Sequence, residues 1–258
     1  MAALDDDTTE ATPLRIWELE TTAAAVRDRR LKSAHTAEGA ALRRRLAACG
    51  DAGARLLRRL LAAEPDAKAL PNDYVWDATL SVRQASRVAD GNCLGAQVWE
   101  CGAVLADWLE RRPDVVAGER VLELGAGIGL VGKVAARGAA RVLLTDAWGA
   151  PDAPGWAALD WNDAAAVAAV RENFAGGAPD VVVAADVVYS DGAAGLPAAL
   201  RSLGAGRAYV AYKHRRARDA AAWRDLERDF AIVEESDPLL AVVRDCCRVA
   251  ILRLEPRR

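Results

Sequence analysis

Arg120-Val121-Leu122-Glu123-Leu124-Gly125-Ala126-Gly127-Ile128-Gly129 is the stretch on which the fold turns. RVLEL (120–124) is β-branched and apolar, as a strand covered on both faces would be. Glycines follow it at once, and GLVGKVAARG (129–138) then opens a helix. A strand that runs through a glycine turn into a helix is the first unit of an open α/β sheet, and such sheets bind ligands at the carboxyl ends of their strands. Glycine lets the main chain come close to a ligand at such a turn. Gly127, Gly129 and Gly132 also fit GxGxxG, a dinucleotide fingerprint. The register speaks against that fit. The fingerprint's first glycine should lie at the strand end, yet the strand ends at Leu124 and Gly125 comes next.

Working outward, strands and helices alternate. A helix from about Ala96 to Arg111 precedes the glycine turn, with Val98, Trp99, Val104, Leu105, Trp108 and Leu109 on one face. TLSVRQ (79–84) before it reads as a short strand. After the turn, ARVLLT (140–145) is a strand ending at Asp146, and AALDW (157–161) is a short one. PDVVVAA (179–185) and RAYVAYK (207–213) are further strands. GLPAALRSL (195–203) and RRARDAAAWRDLERDF (215–230) are helices. This alternation predicts a doubly wound, mostly parallel sheet. FAIVEE (230–235) and CRVAILRLE (247–255) end the chain as two strands. With no helix expected between them, they predict a C-terminal antiparallel hairpin.

Upstream, residues 1–13 are acidic and polar and read as a disordered tail. Residues 14–72 read as a helical extension in which Gly50-Asp51-Ala52-Gly53 separates two helices, and residues 73–258 as the α/β domain. Residues 23–61 hold nine Arg and one Lys against Asp28, Glu38 and Asp51, a net of +7. A solvated helical face accounts for that charge. Docking to an acidic protein or to RNA is the alternative.

Over all 258 residues the net charge is −3, so nothing global points to nucleic acid. Hydrophobic residues at 52% and charged residues at 28% are a globular balance. MAALDDDTTE has neither the basic nor the apolar region of a signal peptide, and no apolar run reaches the roughly 18 residues of a membrane helix. The five cysteines form no CxxC, which suits free thiols in a reducing, cytoplasmic or nuclear setting. His35 and His214 are the only histidines, and neither is spaced from a cysteine as a metal ligand would be.

Read from Gly125, ELGAGIG is E-x-G-x-G-x-G. Together with LGAQVWECGAVLADWLE (94–110), ALDW (158–161) and PDVVVAADVVY (179–189), it resembles the small seven-strand protein-lysine methyltransferases over residues 79–255. ALDW, PDVVVAADVVY and the helical extension lean toward the elongation-factor-directed members. TLSVRQ and GLVG lean toward the chaperone-directed ones. The resemblance implies S-adenosylmethionine as cofactor, no metal, and a protein substrate such as an elongation factor or chaperone. It also implies a site. Trp99 packs on the cofactor, Glu123 lies beneath its methionine part, and Gly125, Ala126 and Gly127 line the loop. Asp146 holds the ribose, Trp161 stacks near the adenine and Ala185 lines the floor. Asp186 and Tyr189, from D-x-x-Y, line the lysine channel as catalytic residues.

The chain departs from that family after Asp146. Only AWGAPDAPGWA (147–157) separates it from ALDW, and a parallel crossover generally needs a dozen or more residues. The expectation is an extended crossover, a displaced third strand or a missing exon, with one sheet face short of a helix. Trp148 and Trp156 are candidates to cover the gap. A catalytically weak protein-binding module therefore stands beside the enzyme, and a nicotinamide enzyme behind both.

Overall fold

A computed structural model describes residues 35–64, 70–85, 94–147, 155–174, 176–188, 191–214 and 220–257. The expected tail at 1–13, together with Cys93, Trp148 and Tyr189, lies outside the described residues.

Helices α1 (Ala37–Ala47) and α2 (Gly50–Ala62) come first. Thr36 starts α1 by accepting a 3.1 Å bond from Gly39 N at its side-chain oxygen. The two helices part at Ala48 and Cys49, so the expected Gly50–Gly53 breaker forms the first turn of α2 instead. Next, β1 (Asn72–Val75) and β2 (Ser81–Gln84) pair as an antiparallel hairpin. Helix α3 (Glu100–Arg111) then leads to β3 (Arg120–Leu124), α4 (Leu130–Ala135) and β4 (Arg141–Asp146). The rest is β5 (Trp156–Ala158), α5 (Ala164–Asn173), β6 (Val181–Ala185), α6 (Leu196–Leu203), β7 (Arg207–Lys213), α7 (Ala220–Asp229), β8 (Phe230–Glu234), α8 (Pro238–Cys247) and β9 (Val249–Pro256).

Seven strands make one sheet in the order β5-β4-β3-β6-β7-β9-β8. β5, β4, β3, β6 and β7 run parallel, and β9 enters antiparallel between β7 and β8. This is the doubly wound, mostly parallel sheet with an antiparallel C-terminal pair. One correction concerns the connection: α8 links β8 to β9, where no helix was expected. Asp237 accepts from Leu239 N and Leu240 N at 2.8 Å each, Pro238 occupies the first turn, and Leu239, Leu240, Val242 and Val243 are buried.

Side chains alternate between two cores. Val121, Val181, Val183, Tyr209, Ala211 and Ile251 face a core shared with α1, α2, α3, α4 and α8. Leu122, Leu124, Val182, Ala184, Val210 and Leu252 face the other, under α5, α6 and α7. Leucines 42, 46, 56 and 60 of α1 and α2 are buried in the first core, beside residues of the sheet itself. An ion-pair chain reinforces this side. Buried Arg59 on α2 meets Asp107 at 2.5 Å and Glu110 at 2.8 Å, and Arg111 joins Asp107 to Asp237. Trp76 lies over the Arg59 guanidinium at 3.4 Å.

The short crossover does not displace its strand. β5 pairs in parallel with β4, Leu144 opposite Trp156 and Asp146 opposite Ala158. Val142, on the α4 face where a right-handed crossover helix would lie, stays half-buried. The four cysteines among the described residues are free thiols.

Candidate active site

The strand ends of β3, β4 and β6 converge on the glycine turn. Gly125, Gly127 and Gly129 all have left-handed backbones, with φ of 65°, 56° and 80°. Main-chain bonds set the turn: Ala126 N donates to Thr145 O at 2.9 Å, and Gly129 N to Ala126 O at 2.7 Å. All three glycines are also crowded by close neighbours, and a Cβ on Gly129 would stand 2.8 Å from Trp156. A Cβ on Gly125 would stand 2.9 Å from Val187 Cγ1 and 3.3 Å from Trp161. One on Gly127 would stand 2.9 Å from the Gly95 carbonyl oxygen.

The two carboxylates play different parts. Asp146 ends β4, is 8% exposed, and accepts from Gly127 N at 2.8 Å, so the tips of β3 and β4 form one unit. Glu123 is turned into the protein instead. Its carboxylate accepts from Gly132 N in α4 at 2.7 Å, and its main-chain oxygen accepts from Thr145 Oγ1 at 2.6 Å. Burial pushes the Glu123 carboxyl up to about 8; Asp146 adds to the rise, while the Gly132 bond and Lys133 oppose it. Burial likewise lowers the Lys133 ammonium.

Above the turn runs the segment Leu94–Glu100. Its Gly95 carbonyl lies against Gly127, and half-buried Trp99 folds back so that Nε1 donates to Leu94 O at 2.7 Å. On the other side, half-buried Trp161 follows β5 and lies beside Gly125, and Trp156 on β5 lies beside Gly129. Trp156 thus occupies part of the edge that the short crossover leaves open. Ala185 ends β6, partly buried. Asp186 comes next with φ of 60°, a left-handed backbone that Asp tolerates better than most residues. Its N–H donates to Ala211 O at 2.9 Å, which anchors the turn to β7. Non-glycine residues in such conformations concentrate at functional sites.

The structure therefore brings together Gly125, Ala126, Gly127, Asp146 and Trp161, with Ala185 and Asp186 on the adjoining strand end and Trp99 in the covering segment. Glu123 lies beneath the turn, aimed at α4. Sequence reasoning missed Gly95 and Val187, the neighbours that make glycine necessary at 127 and 125. The small-residue pair Gly95-Ala96 ahead of the helix was the one visible signal for the first. Among the described residues, no group of three His, Cys, Asp or Glu is placed to hold a metal.

A nucleoside with a charged amino-acid tail suits this arrangement. The turn presents main chain without side chains, a carboxylate stands at the neighbouring strand tip, and two tryptophans and a strap wall it in.

Residues 77–153 match the lysine methyltransferase family. Histone-arginine methyltransferase METTL23 of Xenopus laevis is 46% identical over 56 residues, which are 21% of this chain and 24% of that protein. Protein N-lysine methyltransferase METTL21A of Danio rerio is 49% identical over 53 residues, 20% of this chain and 24% of that protein. The chain thus spans about a quarter of the length of these curated relatives. Among solved structures, the Mtq2–Trm112 complex of E. cuniculi matches with a TM-score of 0.40 and 17% identity, covering 61% of this chain and 96% of that one. Magnesium protoporphyrin IX methyltransferase of Synechocystis PCC 6803 with bound SAH matches with a TM-score of 0.36 and 16% identity, covering 60% and 82%. The family match supports S-adenosylmethionine as the cofactor of this site.

Proposed function

We propose that this domain, with its lysine-methyltransferase segment, transfers a methyl group to a lysine side chain of a protein substrate. The observation that carries the reading is the Asp146–Gly127 bond, which locks the carboxylate at one strand tip to the glycine turn at the next. When bound, S-adenosylmethionine supplies the methyl group as a sulfonium.

The chain's own residues then bind, orient and exclude water. Asp146 is the acceptor for ribose hydroxyls, Gly125, Ala126 and Gly127 line the amino-acid side, and Trp161 and Trp99 are the flat walls. Glu123 supports the turn from below, where its carboxyl accepts from Gly132 N. Lysine is mostly protonated at neutral pH, so the site must favour the neutral amine, largely by desolvation. Asp186 is held on a fixed backbone beside the turn, where its carboxylate orients the amine. Tyr189, three residues on in the D-x-x-Y pattern and outside the described residues, is the proposed second residue of the channel. Alignment supplies much of the rate enhancement.

METTL23 bears the name of a histone-arginine methyltransferase, so arginine is the rival acceptor. Both acceptors are side chains of proteins, with an elongation factor or chaperone as the proposed partner class. The wider reading includes a helical extension at 14–72, an α/β domain at 73–258, and action in the cytoplasm or nucleus. Among the described residues no helix is long and apolar enough to cross a membrane.

The second reading is a protein-binding module of the same fold, favoured by Val142, half-buried on the face that the short crossover leaves without a helix. One experiment decides between them. Purified protein is incubated with labelled S-adenosylmethionine and cell lysate, and labelled bands are hydrolysed to amino acids. Methyl-lysine supports the proposal, methyl-arginine moves the acceptor, and no label over background contradicts catalysis.

A further inference from the structure

The covering segment Leu94–Glu100 breaks a local rule. Trp99 occupies the N-cap of α3 and makes no side-chain cap bond, where Ser, Thr, Asp or Asn is preferred. The amides of a helix's first turn need partners from elsewhere, and here distant groups hold the segment, Ala85 N among them by donating to Ala96 O at 3.0 Å. Glu64, just past α2, accepts from Glu100 N at 3.4 Å and donates its own N–H to Val98 O at 2.9 Å. Gln84, at the end of β2 and 0% exposed, accepts from Val98 N at 2.9 Å. Lys213, at the end of β7, pairs with the Glu100 carboxylate, with both residues nine-tenths or more buried.

Burying a pair of charges is costly, and apolar side chains of similar size would serve folding as well or better. Its place is the informative part. Lys213 lies two residues beyond Ala211, whose carbonyl anchors Asp186, and Glu100 adjoins Trp99. The same segment lays its Gly95 carbonyl on Gly127.

We infer that the Glu100–Lys213 pair, helped by Glu64, is a positioning device that sets the Trp99 strap over the glycine turn and thereby tunes cofactor affinity. It deepens the methyltransferase reading and rests on it. It also gives the helical extension a role in the site itself, since Glu64 is the residue by which α2 reaches the strap. Lys213 and Glu100 need not touch the cofactor. They act through Trp99 and Gly95.

The test uses the full chain and calorimetric titration with S-adenosylhomocysteine. Lys213→Met with Glu100→Leu removes both charges together, which leaves no unpaired buried ion. The expected result is a melting temperature near that of the parent with the dissociation constant raised about tenfold, as small misplacements can cost up to about a hundredfold. Glu64→Ala, a variant on the partly exposed end of α2, weakens binding about fivefold through the loss of a helix cap. Amide exchange at Val98 and Glu100 should quicken in both variants while core amides keep their protection. Unchanged affinity in the folded variants overturns the inference and leaves the methyltransferase reading intact. If the double variant does not fold, Glu64→Ala alone decides on the same criterion. A parent that binds no S-adenosylhomocysteine overturns the cofactor reading and this role together.

Discussion

Replacing Gly127 by alanine asks whether the glycine turn is shaped by the strap above it. Two costs are legible in the structure. Gly127 has φ of 56°, and an L-residue in that region costs roughly 1–2 kcal/mol. The added Cβ would also stand 2.9 Å from the Gly95 carbonyl oxygen, which is main chain and has no rotamer by which to retreat. Overpacking of that kind adds about 1–3 kcal/mol. Gly118 supplies the control: its φ is 73°, and a Cβ there meets nothing within 4 Å. Gly118→Ala should therefore show the backbone cost alone. The assay is urea unfolding of the two variants and the parent, followed by titration with S-adenosylhomocysteine. Gly127→Ala is expected to lose about 2–5 kcal/mol against about 1–2 for Gly118→Ala, and only the former should weaken cofactor binding. Equal losses in the two variants, with affinity untouched in both, would refute the claim that strap and turn are in contact.

Three further outcomes are expected. The Glu123 carboxyl is raised to about 8 in the folded protein, so the native state binds the extra proton and its stabilisation falls as pH climbs from the ordinary value of 4.5 through 8; melting temperatures between about pH 5 and about pH 9 should decline in the parent and flatten in Glu123→Gln, the parent losing about 1.4 kcal/mol for each pH step within that window. Asp107→Ala leaves buried Arg59 short of its 2.5 Å partner and should cost about 3–5 kcal/mol in denaturant unfolding, whereas Asp73→Ala, in an exposed pair with Arg83, should cost under about 1 kcal/mol. Asp186→Ala should lower kcat for methylation about 100-fold or more while leaving S-adenosylhomocysteine affinity near the parent value, a split that stopped-time assays at saturating cofactor would read.

The parts of the fold that local chemistry writes are readable from the residues alone. RVLEL and PDVVVAA are strands because long apolar, β-branched runs suit a sheet covered on both sides, and they prove to be neighbours at its centre. Asp146 at a strand end about twenty residues beyond the turn is equally plain. Two helices escape such a reading. Ala164–Asn173 is so rich in alanine that its apolar face hardly shows, although Asp163 caps it by accepting from Ala165 N and Ala166 N. Pro238–Cys247 carries a helix-start signal in Asp237 and Pro238, which the two flanking strand patterns overshadow. The support of the strap is out of reach in principle. Gln84, Glu64 and Lys213 meet Val98 and Glu100 across 14, 36 and 113 residues, and no local pattern encodes such a meeting. Glu123 shows a related limit: its place on β3 is readable, but its turn toward Gly132 depends on where α4 packs.

The most direct measurement is calorimetric binding of S-adenosylhomocysteine to the full chain and to Asp146→Ala. A cofactor site formed by the tips of β3 and β4 predicts one saturable site in the parent and at least about a tenfold loss in the variant, the worth of a charged hydrogen bond to a ribose. Equal affinity in the two proteins, or no binding by a folded parent, would contradict it.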